Sequence, residues 1–195
     1  MTIAFVLGNG VSRQHLNLAH LKNCGMIYGC NALYRSFTPD VLVATDKPIA
    51  EAIQNSGYAL TNRFYTRRPL PKTGALALPE KYRGYSSGPN AVGLAAHDQH
   101  HRIYLLGFDM GPDENKLLNN LYAGTEFYKP VGSAPTFTGN WIKQITQIAA
   151  DYPEIQFFRV CGATTASVPA FENIKNLEHV DLASFLNRIN NPKDL

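Results

Sequence analysis

The sequence predicts an α/β fold, a three-layer sandwich with a mostly parallel sheet, helices on both faces and one long lid loop. Three observations predict it: continuous apolar runs of four to six residues recur, each stops in small or polar residues, and helix-like stretches lie between them. A strand buried on both faces reads as such a run, whereas a strand with one wet face alternates.

The first run, Ile3–Leu7, closes at Gly8. Met26–Cys30 ends at Asn31, and Val41–Ala44 ends at Thr45 and Asp46. Residues 103–106 end at Gly107, Phe108 and Asp109, and residues 155–160 end at Cys161 and Gly162. Helices are expected over 14–21, 48–54, 89–97, 137–150 and 182–189. In the stretch 137–150, Trp141, Ile142, Ile145, Ile148 and Ala149 recur at helical spacing and form one apolar stripe. Alternation of strand and helix implies parallel strands joined by right-handed crossovers, with five strands or more.

A chain of 195 residues suits one domain, 1–195, with a lid over approximately 110–136. Apolar residues make up 45% and charged residues only 17%, against a typical charged share of roughly 25%, which excludes a disordered chain. The formal net charge of +3 is too weak a positive field to indicate nucleic-acid binding, and it leaves anionic small ligands open. Residues 1–7 lack the basic region of a signal peptide, and no apolar stretch reaches membrane-spanning length, so a cytoplasmic protein is expected. Cys24, Cys30 and Cys161 are an odd set without C-x-x-C spacing, which suggests neither a disulfide framework nor a cysteine zinc site.

The strongest local signal is Gly8, Asn9, Gly10, Val11, Ser12 and Arg13, directly after the first strand. Glycines there let the backbone turn sharply and bring N–H groups against an anion, as in Rossmann-like folds. Arg13 stands where the third glycine of a dinucleotide fingerprint would be, and Asn31 stands where a ribose-binding acid would be, so NAD is not expected. A tight turn with Ser12 as N-cap is the plainer reading.

Asn31 and Asp46 close the next two strands, where ligands of open α/β sheets sit. Asn31 suits a base or ribose, and Asp46 suits a ribose hydroxyl or Mg2+; ordinary turn formation and helix capping explain them equally. Ser86, Ser87 and Gly88 open a helix and offer a second phosphate cradle, or a serine cap followed by Pro89. Asp109 suits a base, a metal ligand or a clamp for the loop it enters.

Two segments break the rhythm. Residues 62–85 carry six cations against the single acid Glu80, interleaved with Phe64, Tyr65, Tyr82 and Tyr85. Such a run tracks single-stranded nucleic acid or, more often, forms a solvated face. Residues 110–135 are rich in glycine and asparagine and read as a lid or binding loop. His97, His100 and His101 have a spacing that can ligate metal, but no second cluster completes a site.

The set formed by Gly8, Asn9, Gly10, Val11 and Ser12, then Gly29, Cys30 and Asn31, then Ser86, Ser87 and Gly88, then residues 103–109, is similar in order and spacing to bacterial sialyltransferases with a Rossmann-like fold. It more loosely resembles the hydroxymethylpterin diphosphokinase-like proteins. The first resemblance covers roughly residues 1–150. It implies that Asn9, Asn31, Ser86, Ser87 and Gly88 contact the cytidine monophosphate part of an activated donor, and that Tyr122 and Tyr128 of the lid steady the departing phosphate. Val11 replaces the family's proline, and residues 132–137 lack its general-base histidine.

The expected function is therefore a nucleotide-dependent, glycosyltransferase-like transferase. Gly8, Asn9, Gly10, Ser12, Asn31, Asp46, Ser86, Ser87 and Gly88 would hold the nucleotide, and Asp109, Tyr122 and Tyr128 would attend the chemistry. The donor would be a nucleotide-activated one, with a cytidine nucleotide favoured; no other cofactor or metal site is assigned. A non-catalytic nucleotide- or nucleic-acid-binding protein is one alternative. An enzyme like the pterin diphosphokinases, with Mg2+ on Asp46 or Asp109, is another.

Overall fold

The computed structural model describes residues 2–191 and 195; residue 1 and residues 192–194, at the ends of the expected 1–195 domain, lie outside the described residues. Eight strands form one sheet: β1 (Ile3–Leu7), β2 (Met26–Cys30), β3 (Val41–Ala44), β4 (Phe64–Thr66), β5 (Leu76–Ala77), β6 (Arg102–Leu106), β7 (Gln156–Cys161) and β8 (Leu177–Asp181). Their order is β5-β4-β3-β2-β1-β6-β7-β8, and every neighbouring pair is parallel. The helices are α1 (Leu18–Cys24), α2 (Lys47–Asn55), α3 (Ser87–His97), α4 (Gly139–Asp151) and α5 (Leu182–Asn190).

The continuous apolar runs have a direct cause. In β1, Ala4 and Val6 pack with Ala91 and Ala95 of α3 and Ile145 and Ile148 of α4. Phe5 and Leu7 point the other way, into a cluster with Leu21 of α1, Ile49 and Ile53 of α2, and Phe185 of α5. All four β1 residues are fully buried, so no polar residue is tolerated on either face.

The first helix departs from expectation. Residues 11–13 form one turn of 3₁₀ helix, and α1 begins only at Leu18, where the Asn17 side chain accepts from the His20 amide at 3.1 Å. That cap stops the helix from starting at residue 14. Asn17, not Ser12, is therefore the N-cap.

Strands β4, β5 and β8 were not among the expected elements. Strand β4 is three residues long and hidden inside the basic stretch, β5 has two exposed residues, and β8 is an edge strand that buries Leu177 and Val180 but exposes Glu178 and Asp181. None of the three presents a continuous apolar run.

The strand order reverses between β1 and β6. From β1 the chain proceeds through α1 on one face, and from β6 through α4 on the other. The carboxyl ends of these two strands thus border a crevice, the place where open α/β sheets hold ligands.

Candidate functional site

A cavity of about 450 Å3 opens at this crevice. The turns after β1, β2 and β3 supply Gly8, Asn9, Gly10, Asn31 and Asp46 to its wall, and the start of α3 supplies Ser86, Ser87 and Gly88. Asp109 and Tyr128 also line it, whereas Ser12 and Tyr122 do not. The Asn9 turn and the Ser87 turn, far apart in the chain, face one space.

The α3 side of the cavity has unused hydrogen-bonding capacity. Ser86 occupies the N-cap position, yet its hydroxyl makes no capping bond. Its amide donates to Gln144 Oε1 at 3.0 Å, while the amides of Ser87 and Gly88 meet no acceptor among the described residues. Ser87 Oγ accepts from the Thr45 amide at 3.0 Å and lies 3.0 Å from Thr45 Oγ1, which ties β3 to α3 and fixes where the free amides sit. The helix dipole adds positive potential at that end. Across the cavity Asn31 adopts a left-handed backbone with φ of 53°, a conformation that asparagine tolerates, and its buried Oδ1 has no hydrogen-bond partner. Asp46 is an exposed N-cap whose side chain makes no capping bond.

The β6 side is the opposite. The Asp109 carboxylate accepts from the Ser12 amide at 3.1 Å and from Ser12 Oγ, Asn119 Nδ2 at 3.0 Å, Thr164 Oγ1 at 2.9 Å and Thr165 Oγ1 at 3.2 Å. Five donors fill its lone-pair sites, and the residue is only 3% exposed. Arg159, also buried, donates to the carbonyls of Phe108 and Asp109 at 3.0 Å each. Asp109 is thus a clamp joining the β1 turn, the lid and the turn after β7, and Ser12 is one of the groups it holds.

The lid is irregular from residue 107 to 138 but is anchored repeatedly. The Leu121 amide donates to the Asn9 carbonyl at 2.8 Å, and Arg35 donates to Thr125 Oγ1 and the Glu126 carbonyl. Tyr128 Oη accepts from the Ala32 amide at 3.2 Å and from Asn9 Nδ2 at 3.4 Å, leaving its own proton to donate to a ligand. Burial raises the pKa of this phenol, which keeps it a donor at neutral pH. Tyr122 packs on Tyr128 with ring centroids 5.5 Å apart.

Arg67 is the residue that sequence reasoning passed over, inside a stretch read as a solvated face. It lines the cavity and donates to the carbonyls of Arg83, Gly84 and Tyr85 at 2.9, 3.2 and 2.7 Å. Three carbonyls hold the guanidinium, and no carboxylate among the described residues pairs with it. Three other cations of that stretch are paired, Arg63 with Asp98, Lys81 with Asp151 and Arg83 with Glu80, and Arg67 alone of the six lines the cavity. The missed signal was this placement, which composition does not report.

Cys30 also lines the cavity, but burial pushes its thiol pKa up to about 12, and it donates to the Leu7 carbonyl at 3.4 Å. The three histidines do not converge: His100 is buried against Tyr28 Oη at 3.0 Å, and His101 contacts Thr2. Among the described residues no group of three or more His, Cys, Asp or Glu side chains is placed to hold a metal ion, and no helix is long and apolar enough to cross a membrane.

Comparison with known proteins returns no match to a family model, to a curated protein or to a solved structure.

Proposed function

We propose that the protein is a nucleotide-dependent, glycosyltransferase-like transferase that takes its group from a nucleotide-activated donor, with a cytidine nucleotide favoured. The observation that carries this reading is the convergence of unused donors on one cavity at the strand-order reversal, the Ser87 and Gly88 amides, the Ser86 hydroxyl and the Tyr128 phenol, with the carbonyl-held cation of Arg67 lining the same space. When the bond between donor phosphate and transferred group breaks, negative charge grows on the phosphate oxygen. Fixed amides, a phenol proton and a cation are suited to stabilise it. Asn31 Oδ1 is an acceptor for an N–H or hydroxyl of the base or ribose, and the free Asp46 carboxylate suits a ribose hydroxyl or a Mg2+ carried by the phosphate.

A second reading, a non-catalytic nucleotide-binding protein, draws on the saturation of Asp109, the acid that the sequence offers as a base. Incubation with a cytidine-monophosphate-activated sugar separates the two. Catalysed release of cytidine monophosphate supports the transferase, binding without release supports the binder, and neither binding nor release defeats both.

A further inference from the structure

A second hollow, of about 550 Å3, shares a wall with the first. Gly8 lines the first and accepts from Arg13 Nε, and Arg13 lines the second. Tyr128 lines the first and packs on Tyr122, which lines the second.

Arg13 is 6% exposed, yet no carboxylate among the described residues pairs with it. Its only polar partners among the described residues are the Gly8 carbonyl and, at a long 3.4 Å, Tyr122 Oη. An ionised group taken out of water is costly unless paired. The other deeply buried arginine shows what full compensation looks like. Arg159 makes two 3.0 Å bonds to carbonyls, lies 5.3 Å from the Phe171 ring centroid and lines neither hollow. Arg13 is buried too, but its Nη2 has only the long contact to Tyr122, and open space lies beside it. The remaining wall mixes four apolar side chains, Leu16, Leu18, Phe37 and Leu121, with the polar Gln14, Asn17 and Ser36.

We propose that this hollow binds a small amphipathic anion, a carboxylate or phosphate monoester on an apolar body, with its head on Arg13. Guanidinium groups pair with both kinds of oxyanion, and four apolar side chains suit a short aliphatic or aromatic body. The head would draw on the Nη2 donor that Tyr122 now holds loosely, so occupancy bears on the tyrosine pair of the lid. The site is independent of whether the first cavity takes a nucleotide.

The test uses the full chain labelled with 15N-arginine, following the Arg13 Nε–H resonance during titration with octanoate, octyl phosphate and octanol. The expected result is a saturable shift with at least one of the two anions, and about tenfold or weaker binding of octanol, equivalent to about 1.4 kcal/mol. The two anions distinguish a carboxylate from a phosphate head. Ala19→Trp, which fills the hollow from an exposed wall position, should abolish the shift, and Arg13→Lys, followed by calorimetric titration because it lacks the reporting resonance, should bind the anions more weakly by losing the planar fork. Should Arg13→Lys fail to fold, Ala19→Trp alone decides. The proposal is overturned if neither anion moves the resonance at millimolar concentration, if octanol binds as tightly as the anions, or if Ala19→Trp binds them unchanged.

Discussion

The turn after β6 and the turn that opens α3 face the same cavity, carry polar residues at comparable positions and are built for different ends. After β6, Asp109 accepts from five donors and Arg159 holds the adjacent carbonyls, so the polar groups satisfy one another. At α3, two amides and one hydroxyl have no partner among the described residues, and the fixed guanidinium of Arg67 shares their cavity. Location at the carboxyl end of a sheet brings a residue near a ligand. Whether its hydrogen-bonding capacity is already used decides whether it can bind one.

The largest effect that would break this contrast is on stability at the closed turn. Asp109→Ala strands half-buried donors from three segments and should lower unfolding free energy by about 3–5 kcal/mol in urea titration; a loss under about 1 kcal/mol would mean the network is not cooperative. Gly10→Ala comes next. A Cβ there would lie 2.5 Å from Asp109 Cγ and 2.7 Å from the Gly107 carbonyl, so about 1–3 kcal/mol of stability should go.

At the open turn the effect should fall on binding instead. Arg67→Met should cost about 1 kcal/mol of stability, because its carbonyl partners can be hydrated, and should weaken cytidine monophosphate about tenfold or more in calorimetric titration. Gly88→Ala is the smallest perturbation of the fold, since the nearest atoms to its Cβ are on the Phe108 ring at 3.4 and 3.6 Å. Helix propensity favours alanine, so stability should change by less than about 1 kcal/mol in either direction.

These comparisons are cleanest above pH 6.5. Burial lowers the pKa of His100, as it does that of His179, so the folded state binds these protons less readily than the unfolded chain. Their contribution is complete above the unfolded histidine value of about 6.5 and is lost as pH falls below it. Thermal unfolding should show the midpoint falling from pH 7 to pH 5, with a shallower fall in His100→Gln; an equal slope in that variant would remove His100 from the account.

Much of the architecture was legible because burial on both faces leaves a strong trace. Strands β1, β2 and β3 read directly as apolar runs, and the stripe from Trp141 to Ala149 marks α4. Strands β4 and β5 left no such trace, being three and two residues long, and α1 began late because a capping asparagine overrode an otherwise helical stretch. The glycine, serine and asparagine turns singled out in the sequence, Ser12 excepted, line one cavity. The sequence could not distinguish Asp109 from Asp46, because saturation depends on Thr164 and Thr165, more than fifty residues away. Nor could it show that Arg67 alone of its stretch's cations lines the cavity, or reveal that Tyr122 and Tyr128 line different hollows.

Free donors at the start of α3 that bind the phosphate of a nucleotide should report it in the backbone amide resonances of 15N-labelled protein titrated with cytidine monophosphate and with cytidine. The expected result is saturable shifts at Ser87 and Gly88 with the monophosphate, and about tenfold or weaker binding of the nucleoside. Equal binding of both ligands, or shifts that leave those two amides unmoved, would contradict it.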